Sequence, residues 1–326
     1  MKILAVDDDP IILELLGQFV EAIGEHELTM ATCGRDALEQ LQDANSPDFD
    51  CFLIDIQMPE MDGVELTQRI RSMKRFVDTP ILMLTAMSAK RYVDAAFAAG
   101  ATDYVNKPFE VSELKARLSL VEGIVDARRV NTNKIFAAKA AVTGDSPVQQ
   151  LELHEPISIY DVENVIDYTA MQNYVAQLSR TTMFGSATFA FTIRKIDEHH
   201  MAMSAFEYSS MISDVAEIIS DTLAGRQFLM AYAGNGTFVC VTESGWRPDM
   251  EALMDEINLS LSQTELYNNA GELLYVRVSA GEPVRLIWQS EQTVMEALSK
   301  AHASAEAASA AYERAQDGFW LGERLA

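Results

Sequence analysis

Short apolar runs alternate with amphipathic stretches through about the first 120 residues. In order they read KILAV, IILELLGQFVEAIG, ELTMAT, RDALEQLQ, FDCFLID, GVELTQRIRSM, PILMLTA, KRYVDAAFAAG, TDYVNKPF and SELKARLSLVEG. The runs are too continuously apolar for a sheet with one wet face, and the stretches between them repeat near 3.6 residues. A doubly wound, five-stranded parallel sheet covered by helices on both faces is therefore predicted. In such a sheet the chemistry gathers beyond the carboxyl ends of the strands.

The last helical stretch runs on, with Leu114, Leu118, Val121 and Val125 at alternating spacings of four and three, which predicts a stalk with coiled-coil character. TGDSP at 143–147 combines a glycine stop with a proline and is the predicted linker. From about residue 160 a second α/β pattern begins. NVIDYTAMQNYVAQLS, SSMISDVAEIISDTLAG and DMEALMDEINLSLSQTEL read as helices, and ATFAFTIRKI and ELLYVRVSAGE as strands. FLMAYAGNGTFVCVTES reads as a hairpin, because Asn235-Gly236 between apolar runs favours a tight turn with positive φ. An alanine-rich helix ending near Gly318 closes the chain. The expected organisation is a unit over 1–122, a helical stalk and linker over 123–160, and an α+β unit with a mainly antiparallel sheet over 161–326.

Composition narrows the function classes. A 326-residue chain with 48% hydrophobic residues can bury about two cores. Its net charge of -24 repels nucleic-acid phosphates and anionic lipids, which argues against DNA or membrane binding. No segment reaches the length of about 18 apolar residues needed to span a bilayer, and Cys33, Cys51 and Cys240 are odd in number and far apart. A cytoplasmic location is expected.

The candidate chemistry lies at the strand ends. Asp7, Asp8 and Asp9 follow the first strand, Asp55 ends the third, Thr85 ends the fourth, and Lys107 follows the fifth. Taken singly, the first three are a favourable helix start and Asp55 a loop carboxylate. Together, LAVDDDP, CFLIDIQMPEMDG, ILMLTA and ATDYVNKPF resemble the CheY-like receiver domain of bacterial two-component response regulators. The resemblance implies phosphoryl transfer onto Asp55 from a histidine kinase or phosphotransfer protein. It implies Mg2+ held by Asp7, Asp8, Asp55 and the backbone carbonyl of Gln57, in keeping with that ion's preference for oxygen. It gives Lys107 an ion pair with the phosphoryl group, Thr85 a hydrogen bond to it, and Tyr104 an inward turn as Thr85 moves. It also implies a cis bond before Pro108 and a homodimer through the fourth and fifth helices. Asp9-Pro10 and Asp62-Gly63 read as structural, a helix start and a turn.

The second unit resembles the GGDEF domain of diguanylate cyclases, through IDYTAMQN and YAGNGTFVCV. Those enzymes hold Mg2+ on carboxylates of the first strand and the hairpin. Here the hairpin motif reads Gly234, Asn235, Gly236, Thr237, Phe238, with Gly236 and Thr237 in the places of the two acids. Arg194 stands where the strand aspartate belongs, and Gly225 to Phe228 lack the inhibitory RxxD. Asn173 matches the guanine contact, although such an asparagine more often serves as a helix cap or solvated amide. His199-His200 reads as an exposed loop pair and not a metal site. The resemblance thus implies a catalytically inactive output module for protein interaction or dimerisation, directed at a downstream protein the sequence does not name. Two alternatives stand beside it, a divergent diguanylate cyclase and a GTP or cyclic di-GMP sensor without turnover.

Overall fold

The computed structural model describes residues 1–43, 46–86, 90–141, 152–177, 186–242, 245–286 and 291–324, and of 130–141, 291–293 and 316–324 the backbone alone. The chain divides into two compact units, Met1–Pro147 and Val148–Ala326. The TGDSP segment lies outside the described residues.

The first unit contains β1 (Lys2–Val6), α1 (Pro10–Ile23), β2 (Glu27–Ala31), α2 (Gly34–Gln42), β3 (Cys51–Asp55), α3 (Gly63–Arg71), β4 (Ile81–Thr85), α4 (Lys90–Ala98), β5 (Asp103–Asn106) and α5 (Val111–Ala141). All pairings are parallel, in the order β2-β1-β3-β4-β5. The strands are apolar throughout because both faces are covered. Leu4, Val6, Phe52 and Ile54 face the core against α2 and α3, while Ile3, Ala5, Cys51 and Leu53 face the core against α1 and α5. Helix starts follow from local chemistry: Asp9 caps α1 by accepting the Ile11 N–H, with Pro10 in its first turn, and Asp62 caps α3 by accepting the Glu65 N–H. The Arg71 guanidinium, at the end of α3, donates to the carbonyls of Phe76, Thr79 and Gly100 and ties two loops to that helix.

The predicted stalk needs correction. Leu114, Leu118, Val121 and Val125 belong to the core formed by α1, α5 and the sheet. The first unit therefore does not end at residue 122. Burying a valine is worth about 1.5–3 kcal/mol, and a boundary at 122 would strip Val125, which is 6% exposed. Arg129 of the same helix also pairs with Asp50, at 2.7 Å.

The second unit contains α6 (Tyr168–Gln177), β6 (Ala187–Ile193), α7 (Ile196–Ala202), α8 (Ala205–Thr222), β7 (Phe228–Tyr232), β8 (Thr237–Thr242), α9 (Met250–Gln263), β9 (Val278–Ala280), β10 (Val284–Arg285) and α10 (Glu291–Arg324). Its sheet is antiparallel in the order β10-β6-β8-β7, with β9 also on β6. Phe189, Phe191 and Ile193 of β6 pack with α8 and α9. Its other face carries Thr188, Ala190 and Thr192, small enough for α10 to lie close. A Cβ on Gly281 would come within 2.6 Å of the Ala305 backbone.

Three further expectations change. Residues 152–160 are not linker, because Ile159 is in the second core and Leu153 and Ile157 pack against it. The strand read over ELLYVRVSAGE shrinks to β9, since β6 ends at Ile193 and leaves most residues before Val278 without a partner strand. Gly318 does not end α10, which continues to Arg324: an interior glycine costs about 1 kcal/mol, and FWLGER beyond it tolerates a helix.

Candidate functional site

The site is assembled by register. Val6 pairs with Ile54 and Asp55 with Leu84, so the residues just beyond β1 and β4 flank the end of β3. Asp7 is fully buried there, Asp55 is 4% exposed, and Asp8 is open to solvent. One carboxylate oxygen from each of the three lies within 4.8 Å of the others. Among the described residues, no second cluster of this kind occurs.

Lys107 is brought in by the β5–α5 loop. Its N–H donates to the Thr85 carbonyl at 2.6 Å, which fixes the loop to the end of β4, and the Lys107-Pro108 peptide is cis. The ammonium sits between two carboxylates, 2.6 Å from Asp7 Oδ2 and 2.7 Å from Asp55 Oδ1. The remaining Asp55 oxygen accepts the Gln57 N–H at 3.1 Å, and Asp7 Oδ1 accepts the Asp9 N–H at 3.0 Å. Thr85 is fully buried at the end of β4, and Tyr104 lies half-buried on β5, edge-on to Phe97 of α4.

Burial pushes the Asp55 carboxyl up; Lys107 opposes this and the charges of Asp7 and Asp8 add to it. Burial alone would lower Lys107, but its bonds to Asp55 and Asp7 outweigh that and its pKa is raised. Three carboxylates against one ammonium leave two negative charges uncompensated when all are ionised. Clustered hard oxygen donors with that deficit fit a divalent cation such as Mg2+.

Two residues here were not foreseen in these roles. Gly63 donates its N–H to the Ile56 carbonyl at 2.9 Å, and a Cβ on it would collide with the Asp55 carbonyl oxygen. Gly63→Ala is expected to destabilise the protein by about 2–3 kcal/mol through overpacking, read as a lower urea midpoint; an unchanged midpoint would contradict this close approach. Asp103, 2% exposed, is held by Arg117 of α5 at 3.1 Å and by the Tyr104 N–H at 2.8 Å. That pair fixes β5 to α5, and nothing in the sequence marks it.

The second unit's candidate residues fall on the β7–β8 turn. Gly234, Asn235 and Gly236 have φ of 89°, 51° and 71°, as a tight turn between twisted strands requires. The turn is covered by its own chain. Asn235 donates its N–H to the Leu153 carbonyl at 2.7 Å and its side-chain amide to Glu306 at 3.1 Å. A Cβ on Gly234 would meet the His154 carbonyl, and one on Gly236 would meet Ile196. Thr237 is fully buried with its hydroxyl 2.8 Å from that of Thr192, and Phe238 lies in the core against Tyr232. Arg194, just past β6, bonds Ser279 Oγ at 2.9 Å and stacks on Tyr312 at 3.5 Å. Asn173 is half-buried on α6. His199 and His200 are not on a loop: both lie on α7, partly buried, with the His200 ring edge-on to Tyr208.

Comparison with known proteins agrees with the geometry of the first unit. The response regulator receiver domain matches residues 3–119. Chemotaxis protein CheY1 of Helicobacter pylori is 36% identical over 126 residues, 39% of this chain and 100% of that protein. Transcriptional regulatory protein CrdR of the same organism is 36% identical over 117 residues, 36% of this chain and 53% of that protein. Among solved structures, chemotaxis response regulator CheY4 of Vibrio cholerae is 35% identical, covering 37% of this chain and 97% of that one, with a TM-score of 0.34.

Proposed function

Given that this chain belongs, through residues 3–119, to the response regulator receiver family, we propose that Asp55 is its phosphoacceptor and that the second unit is an inactive, cyclase-like output module. A receiver implies a histidine kinase or phosphotransfer protein as donor. The observation that carries the reading is Asp55 itself, buried at a strand end with Lys107 on one oxygen and with Asp7 and Asp8 alongside.

In the reaction, an Asp55 oxygen attacks the phosphorus of a phosphohistidine. The new P–O bond forms as the P–N bond breaks, and the imidazole leaves with the electron pair. Mg2+ bound by Asp7, Asp8, Asp55 and the Gln57 carbonyl would offset charge on the transferring oxygens. Lys107 then exchanges its Asp55 contact for the phosphoryl group, and the Thr85 hydroxyl bonds a second phosphoryl oxygen. Movement of Thr85 makes room for Tyr104, so that the face of α4 and β5 differs between the two states.

For the second unit, the supporting observations are chemical. Arg194 and Thr237 stand at positions where the GGDEF resemblance calls for carboxylates, each engaged within the fold. The turn that would approach a triphosphate is occupied by Leu153, Ile196 and Glu306. Without metal ligands, the charge of two triphosphates has no compensation. Incubating the full chain with GTP and Mg2+ is expected to give no cyclic dinucleotide and no loss of GTP; product formation would revive the divergent cyclase, and binding of GTP or cyclic di-GMP without turnover the sensor.

A further inference from the structure

At the opposite end of the first sheet from Asp55, α5 overhangs the amino ends of β3 and β4 and leaves a groove of about 450 Å³. Strands of five residues put it about 17 Å from the carboxylate cluster. Phe49, Pro80 and Val125, all buried, form an apolar floor, and among the described residues Asp50, Thr79, Arg128 and Arg129 make up the rest of the lining.

The charges of this lining are unbalanced. Asp50 is fully engaged, with Oδ1 accepting from Arg129 at 2.7 Å and Oδ2 accepting the Lys2 N–H at 2.8 Å. Arg128 is half-buried and makes no ion pair, hydrogen bond or ring contact among the described residues. In a chain of net charge -24, a guanidinium sheltered beside apolar side chains with no carboxylate paired to it among the described residues is an unmet demand for an anion.

We propose that this groove binds a small organic carboxylate, its flat apolar body on Phe49, Pro80 and Val125 and its carboxylate held by Arg128 with Arg129 at the rim. The guanidinium fork matches a planar carboxylate in two parallel hydrogen bonds. The volume falls in the range of small-molecule sites, about 300–1,000 Å³. The lining is too small for a stable protein partner, which buries about 800 Å² on each side, and the acidic chain repels nucleic acid. Because Val125, Arg128 and Arg129 lie on α5 and the other lining residues precede β3 and β4, the ligand bridges that helix to the sheet.

Calorimetry of the full chain with naphthoate tests this, with naphthalenemethanol as the uncharged probe and inorganic phosphate as the bare anion. Saturable naphthoate binding is expected, about tenfold weaker in Arg128→Gln and at least about tenfold weaker for the alcohol and for phosphate. Arg69→Gln, which alters an exposed guanidinium paired with Glu65 on α3, leaves the affinity unchanged. A melting curve for each variant separates loss of binding from loss of fold. The proposal is overturned by absence of saturable binding at millimolar naphthoate, by equal affinity of wild type and a folded Arg128→Gln, or by phosphate or the alcohol binding as tightly as naphthoate.

Discussion

Asp55→Asn is expected to abolish phosphoryl incorporation from phosphoramidate and, in the same protein, to raise the metal-free melting temperature by a few degrees. The first effect follows from removing the nucleophile, since an amide oxygen at that position does not form an acyl phosphate. The second follows from electrostatics. Burial raises the Asp55 pKa, and the nearby Asp7 and Asp8 charges act in the same direction, against Lys107. A carboxyl whose folded pKa lies above its unfolded value favours folding at low pH, and that contribution is lost as pH rises through the folded pKa. At neutral pH the ionised Asp55 therefore opposes folding, and a neutral isostere relieves it. Melting curves across pH check the sign: the advantage of Asp55→Asn is present at pH 7 and fades as the pH falls below the raised pKa. A variant that melts lower than wild type at pH 7 without metal would contradict the charge assignment.

The other end of the same ion pair behaves oppositely. Lys107→Ala is expected to destabilise the metal-free protein by about 3 kcal/mol, because it leaves Asp7 and Asp55 buried face to face without a counter-charge. Two rescues distinguish this from a packing loss. Added Mg2+ recovers part of the stability, since binding to the folded carboxylates draws the equilibrium toward the native state. Asp55→Asn in the Lys107→Ala background recovers more, and the double-mutant cycle reports a coupling between two sites in direct contact. Chemical denaturation of the four proteins, with and without Mg2+, reads both. Loss of stability that neither Mg2+ nor Asp55→Asn repairs would mean that the lysine stem, and not its charge, holds the loop.

The parts of this architecture that rest on local periodicity were legible in the sequence. Continuous apolar strands announced a sheet buried on both faces, and the polar residues at their ends fell together because parallel strands share one carboxyl edge. Asn235-Gly236 announced its turn through the left-handed backbone it adopts. What was illegible depended on partners. The stripe Leu114, Leu118, Val121, Val125 has the spacing of a coiled coil and of any helix lying on a sheet, and only the neighbouring α1 and β strands decide between them. The seven residues of α7 are too few and too polar to show a period. ELLYVR has the alternation of a strand, but a strand needs a partner, and β6 stops at Ile193. Gly63 against Asp55 depends on how the short loop between them folds back, and Arg128 and Phe49, which line one groove, are far apart in the chain; composition gives no signal for either.

In the reading proposed above, one carboxylate, Asp55, carries the phosphoryl group in a Mg2+-dependent reaction. The most direct measurement is to phosphorylate the full chain with phosphoramidate, trap the acyl phosphate by borohydride reduction, and locate the reduced residue by peptide mass mapping. A single reduced position is expected, residue 55, present with Mg2+ and absent when the metal is chelated. Reduction at Asp7 or Asp8, or labelling that survives chelation undiminished, would contradict it.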